Sequence, residues 1–97
     1  AGEVAESRFE VLRSRRVGIF HRGAAAEGAA LVAIGDWAAA KQQLGSVESM
    51  RLFDEVDSPV NGRIVGIFVA DGEPVEYGQP LFHLELMDQP VAEQEEA

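Results

Sequence analysis

The chain repeats itself. Arg15-Arg16-Val17-Gly18-Ile19-Phe20 matches Arg63-Ile64-Val65-Gly66-Ile67-Phe68 at an offset of 48 residues. Further along, Gly35-Asp36 matches Gly72-Glu73, Gln42 matches Gln79, Leu44 matches Leu81, and Val47-Glu48 matches Leu84-Glu85, all at an offset of 37 without a gap. The fall from 48 to 37 implies that the first half carries 11 extra residues. They belong in residues 24–30 and their flanks, because 14 residues separate Phe20 from Gly35 and only three separate Phe68 from Gly72. A supersecondary unit duplicated within 97 residues leaves room for one core, so the pattern predicts a single pseudo-two-fold domain.

Each half reads as short strands. Val17, Ile19 and the Ile64–Phe68 run are β-branched or aromatic and of strand length. Leu81-Phe82-His83-Leu84-Glu85-Leu86 alternates, with Phe82, Leu84 and Leu86 on one face and His83 and Glu85 on the other. Asn61-Gly62, Asp71-Gly72 and Tyr77-Gly78 supply turns at close intervals. The Ala24–Ala30 stretch has helix-friendly composition, but Gly23 and Gly28 interrupt it, which predicts a loop or a single turn. The expected fold is all-β: a flattened β-barrel or sandwich of two small antiparallel sheets, one from each repeat. The folded unit is expected over residues 10–87. Residues 1–9 and the acidic tail 88–97 hold too little apolar surface to offset their ordering entropy.

Charge narrows the function. The net charge is −9, with six basic and five acidic groups in residues 1–41 but two basic and twelve acidic in residues 42–97. An acidic half repels phosphate backbones, so a nucleic-acid partner is not expected. The arginines at 13, 15, 16 and 22 oppose the acidic half within the fold or face a partner. The longest apolar runs are too short to span a bilayer, and no membrane role is expected. Without cysteine there is no disulfide framework or thiol chemistry. His21 and His83 have no cysteine or suitably spaced carboxylate beside them, so no metal site is expected. No nucleophile-base spacing and no phosphate loop is present, and Trp37 reads as a partly buried packing residue.

The joint between the repeats is Glu48-Ser49-Met50-Arg51-Leu52, flanked by strands and therefore a tight turn. It contains no Gly, Asn or Asp, the residues that tight hairpins prefer. On these residues alone two readings stand: a turn fixed by its flanking sheets with Met50 folded back onto the core, or an apex that displays Met50 and Arg51 for a purpose.

The joint resembles the Glu-Ala/Ser-Met-Lys-Met/Leu hairpin of biotin carboxyl carrier domains, members of the biotinyl/lipoyl attachment family. The resemblance runs from about residue 11 to residue 86. It takes in Leu12-Arg13-Ser14 with Val17–Arg22, the Asp57-Ser58-Pro59-Val60-Asn61-Gly62 turn, and Asp71-Gly72-Glu73-Pro74-Val75-Glu76-Tyr77-Gly78-Gln79-Pro80-Leu81. It implies a hairpin tip at Glu48, Ser49, Met50 and Leu52 with position 51 as the attachment point. It also implies that the insertion, Ala24, Ala25, Ala26, Glu27, Gly28, Ala29 and Ala30, is the "thumb" of acetyl-CoA carboxylase carriers. Three departures stand out. Arg51 occupies the lysine position, and a guanidinium stays protonated and delocalised, so it cannot attack an acyl adenylate. Arg15-Arg16 replace a Pro-Met pair, and Ala40-Lys41-Gln42 stands where the family usually has a turn centred on glycine, so that glycine is lost.

The resemblance with these departures implies a carrier-like domain that takes no cofactor, biotin attachment being lost. It would be a non-catalytic regulatory or structural subunit of acetyl-CoA carboxylase in fatty acid biosynthesis. Its expected partners are biotin carboxylase, a true carrier protein, or both, in the cytoplasm, or in the plastid stroma for a plant protein. Two alternatives remain: a true carrier captured as a lysine-to-arginine variant, and a structural adaptor of the lipoyl type.

Overall fold

The computed structural model describes residues 8–88. Among them there is no helix. The strands are β1 (Phe9–Arg13), β2 (Gly18–His21), β3 (Trp37–Ala38), β4 (Gln43–Ser49), β5 (Leu52–Asp57), β6 (Gly62–Ile67), β7 (Pro74–Val75) and β8 (Pro80–Leu86). They form two four-stranded sheets, ordered β1-β8-β6-β3 and β5-β4-β2-β7, and every pairing is antiparallel. The all-β, two-sheet architecture is the expected one. Of the segments 1–9 and 88–97, only Arg8, Phe9 and Asp88 fall among the described residues, and Phe9 already belongs to β1.

The expectation of one sheet per repeat is corrected. Each sheet takes two strands from each half, because β1 pairs with β8 and β2 with β7. The ladders supply the reason: β3 and β7, two residues each, pair with β6 and β2 of the opposite half. The two halves interlock.

The two-fold is written in hydrogen bonds. Ser14 N–H donates to Gln79 O at 2.9 Å and Ser58 N–H to Gln42 O at 2.8 Å; Phe20 N–H donates to Glu73 O and Ile64 N–H to Asp36 O, both at 2.8 Å. Gly72 N–H donates to Phe20 O and Gly35 N–H to Ile64 O, both at 2.7 Å. The Ser14 and Ser58 hydroxyls donate to the carbonyls two residues on, each at 2.6 Å. These pairs keep the offset of 37 for the later block but set it at 44 for the earlier one.

Gly18 is therefore the counterpart of Gly62 and not of Gly66, and the expected equivalence of Val17 and Ile19 with Val65 and Ile67 is displaced by four residues. The insertion shrinks accordingly from 11 residues to seven, the length of the Ala24–Ala30 stretch. Backbone crowding explains the true register. A Cβ on Gly18 would collide with the Glu48 carbonyl oxygen, and one on Gly62 with the carbonyl oxygen of Glu85, the residue equivalent to Glu48. Gly66 instead follows a register shift in the β6–β8 ladder, where its neighbour is the His83 side chain. Val17 is exposed.

The core repeats in the same way. Phe20 and Ile64, Leu44 and Leu81, Val47 and Leu84, and Val32 and Val69 are buried at paired positions. Phe20 and Phe82 meet edge to face with centroids 5.7 Å apart. Burying each large side chain contributes about 1.5–3 kcal/mol, and both sheets depend on this one shared layer.

Candidate functional site

The site is the hairpin that joins the halves. β4 lies between β5 and β2, and its ladder with β5 runs to the Ser49–Leu52 pair. Only Met50 and Arg51 remain to close the turn. Both take positive φ, 54° and 70°, the signature of a type I′ turn, whose twist matches that of the flanking strands. An L-residue in this region costs roughly 1–2 kcal/mol, and neither position is a glycine or asparagine. The ladder below imposes the conformation against local preference. Met50 is 91% exposed, so it does not fold back onto the core, and that reading falls. Leu52 is 73% exposed, Arg51 is exposed, and Glu48 and Ser49 are half-buried.

Beneath the apex lies a second layer that sequence reasoning missed. His21 is buried on β2, and its Nε2 donates to Glu48 Oε1 at 2.9 Å. The imidazole sits 5.7 Å from the Phe53 ring, and its Nδ1 is buried without a hydrogen-bond partner among the described residues. His21 and Glu48 are 27 residues apart, so only the β2–β4 register, not local spacing, could have paired them. On the other side Arg16 forms an ion pair with Asp54 of β5, tying the β1–β2 loop to the hairpin. An open groove of about 690 Å³ lies alongside, with Arg13, Arg15 and Arg16 facing Asp54, Glu55 and Asp57.

Residues 24–30 are all exposed. They are turned by a bond from Gly28 N–H to Ala25 O at 3.1 Å and closed at the base by Leu31 N–H to Arg22 O at 3.0 Å. The Arg22 guanidinium donates to Val32 O at 2.7 Å, and its backbone N–H donates to Asp71 Oδ1 at 2.7 Å. The Ser46 hydroxyl donates to Gly23 O at 2.9 Å. Ser46 is on β4, so the loop is anchored to the strand that carries the apex.

His83 lies between Phe9 and Phe68, at centroid distances of 5.2 and 5.9 Å. Trp37 is half-buried in β3. No group of three or more His, Cys, Asp or Glu among the described residues could hold a metal.

The apex offers Ser49, Met50, Arg51 and Leu52, and none of these supplies a neutral amine. Lys41 is the only lysine in the chain. It lies before β4, a strand of about 20 Å away from the turn. No apex residue carries the primary amine that an amide to biotin would require.

A family model described as "Biotin-requiring enzyme" matches residues 12–84. The biotin carboxyl carrier protein of acetyl-CoA carboxylase from Nostoc sp. is 34% identical over 84% of this chain and 45% of its own length. The corresponding protein of Pseudomonas aeruginosa is 39% identical over 74% and 46%. The chloroplastic protein 1 of Arabidopsis thaliana is 35% identical over 80% and 28%. The chain thus spans less than half the length of these relatives. Among solved structures, a single-chain, multi-domain long-chain acyl-CoA carboxylase superposes with a TM-score of 0.70 at 24% identity, over 91% of this chain and 8% of that one. The urea carboxylase of Kluyveromyces lactis superposes with a TM-score of 0.68 at 23% identity, over 87% and 7%; these two speak for the fold alone. With the model covering most of the chain, this protein belongs to the biotin-requiring enzyme family and is built on its biotinyl/lipoyl domain.

Proposed function

We propose that this domain is a non-biotinylated counterpart of the biotin carboxyl carrier, acting as a regulatory or structural subunit of acetyl-CoA carboxylase. The observation that carries this reading is Arg51, exposed at the second position of a two-residue turn, where the resemblance puts the attachment lysine. The protein takes no cofactor and catalyses nothing itself. It takes a carrier's place beside biotin carboxylase or a true carrier, and by mass action each occupied place removes one productive arm. The reading sets it in the cytoplasm, or in the stroma if the source is a plant. No helix among the described residues is long and apolar enough to cross a membrane. Addition of the protein to reconstituted acetyl-CoA carboxylase is expected to lower the carboxylation rate saturably. An unchanged rate with no association to any carboxylase subunit overturns the reading.

A second reading has its own observation. The I′ turn is closed in two residues with its ladder intact to Ser49–Leu52, so a lysine at 51 would need no change of backbone. Under that reading the protein is a true carrier and its gene encodes lysine at this codon, which sequencing of the gene decides. The short, uninterrupted hairpin weighs against the adaptor reading, in which a helical insertion would split this turn.

A further inference from the structure

Each sheet ends in one long edge strand, β1 in one and β5 in the other, and the sequence guards only β5. That strand carries Asp54, Glu55 and Asp57 with no basic residue, and Asp54 also holds Arg16. An edge so rich in carboxylates repels a copy of itself. β1 is built differently. It has β8 on one side and no strand on the other among the described residues, and it holds one acid, Glu10, and one base, Arg13. Leu86 N–H donates to Arg8 O at 2.8 Å, so in the β1–β8 register Arg8, Glu10 and Leu12 bond to β8. Phe9 and Val11 alternate with them and turn their N–H and C=O groups to the open edge. Leu12 packs against the core, which puts Phe9 and Val11 on the outer face of the sheet. There Phe9 lies against His83 and His83 against Phe68, and both phenylalanines are exposed. The unguarded edge is thus the margin of an aromatic face.

We infer that β1 is a self-pairing edge, and that two copies of this chain join β1 to β1, antiparallel, about a two-fold at Val11. Open backbone groups on an edge call for a strand, and charge selects both the strand and its register. A two-fold at Glu10 would set that carboxylate directly against its own copy, which is destabilising. A two-fold at Leu12 would leave Phe9 beyond the end of the paired strand. Val11 is the middle residue of Phe9–Arg13, so a two-fold there pairs the full strand. It sets Glu10 against Leu12 and Arg13 against Phe9, with no like charges opposed. Each exposed ring then receives a guanidinium from the other copy, and the two aromatic faces become one. The inference stands apart from the proposed function, since it needs neither a carboxylase nor biotin.

Analytical ultracentrifugation of the 97-residue chain tests it. An edge contact is small, so a reversible shift from the mass of one chain to that of two is expected at about 0.1 mM. Two copies of net charge −9 repel each other, so added salt strengthens the dimer. Val11→Lys places two ammonium groups face to face on the axis and is expected to weaken association about tenfold or more. An unchanged melting temperature shows that this variant is folded. Val11→Cys gives a chain without cysteine a single thiol, whose neighbour across the axis has its Cα about 5.5 Å away, within disulfide reach. With oxidised glutathione it should cross-link into dimers faster than Ile34→Cys, an exposed position off this edge. The inference is overturned by a chain that stays monomeric to about 1 mM, including one whose Val11 amide is protected by another segment of the same chain. It is equally overturned by association that Val11→Lys leaves unchanged, which would place the contact elsewhere, or by Val11→Cys cross-linking no faster than Ile34→Cys.

Discussion

Lys41 and Gly78 occupy the same place in the two halves of the molecule. Each has positive φ, 74° and 85°, and each N–H donates over 2.7 Å to the carbonyl of an equivalent serine, Ser58 or Ser14. One half uses the residue suited to the left-handed region and the other tolerates a strained lysine. The outer faces diverge further. Glu48 and Glu85 are equivalent, yet Glu48 takes the buried His21 while Glu85 takes the half-exposed Arg63 at 2.8 Å. Ser46 is sealed under the base of the inserted loop, whereas its counterpart His83 is half-buried between two exposed phenylalanines. The shared part is backbone bonding and core. The half that leads into the hairpin adds a sealed second layer under the apex, and the other half leaves that face open.

The comparison breaks if the paired core positions are not equivalent. Phe20→Ala and Ile64→Ala remove paired, fully buried side chains, and the expected losses are about 3–5 and about 2–5 kcal/mol in chemical denaturation. Val17→Ala, at an exposed position, is expected to change stability by less than about 0.5 kcal/mol. A large loss at Val17 would restore the offset of 48.

The glycines sharpen it. Gly18→Ala and Gly62→Ala each drive a methyl into a backbone carbonyl and should each cost roughly 3 kcal/mol. Gly66→Ala meets only the His83 side chain and should cost about 1 kcal/mol or less. Equal costs at Gly18 and Gly66, with Gly62 tolerant, would contradict the register. A small effect of opposite sign in the two halves is expected at the strained turn. Lys41→Gly should raise stability by about 0.5–1 kcal/mol through relief of the positive φ, and Gly78→Lys should lower it by a similar amount. Thermal melts of the two variants make that comparison.

What could be read in advance follows the same division. β4 and β8 are seven residues each and ungapped, so the offset of 37 was visible in Leu44, Val47 and their partners. The earlier block misled because Val-Gly-Ile-Phe occurs twice for different reasons. Gly18 makes room for a carbonyl, while Gly66 follows a bulge, and a bulge has no local sequence mark at this site. Strand exchange between halves was hidden for want of any local signal that β3 and β7 pair with β6 and β2. The apex was legible only through resemblance, since Met50-Arg51 lacks the turn residues that a type I′ hairpin prefers. The residues that brace it were out of reach, because His21 meets Glu48 through pairing register alone.

The central claim is that the apex cannot accept biotin, and mass spectrometry after incubation with a biotin protein ligase, biotin and ATP tests it most directly. The account predicts an unchanged mass for the native chain and a gain of one biotin for Arg51→Lys, whose amine stands at the apex of the same turn. A biotin adduct on the native chain would contradict it.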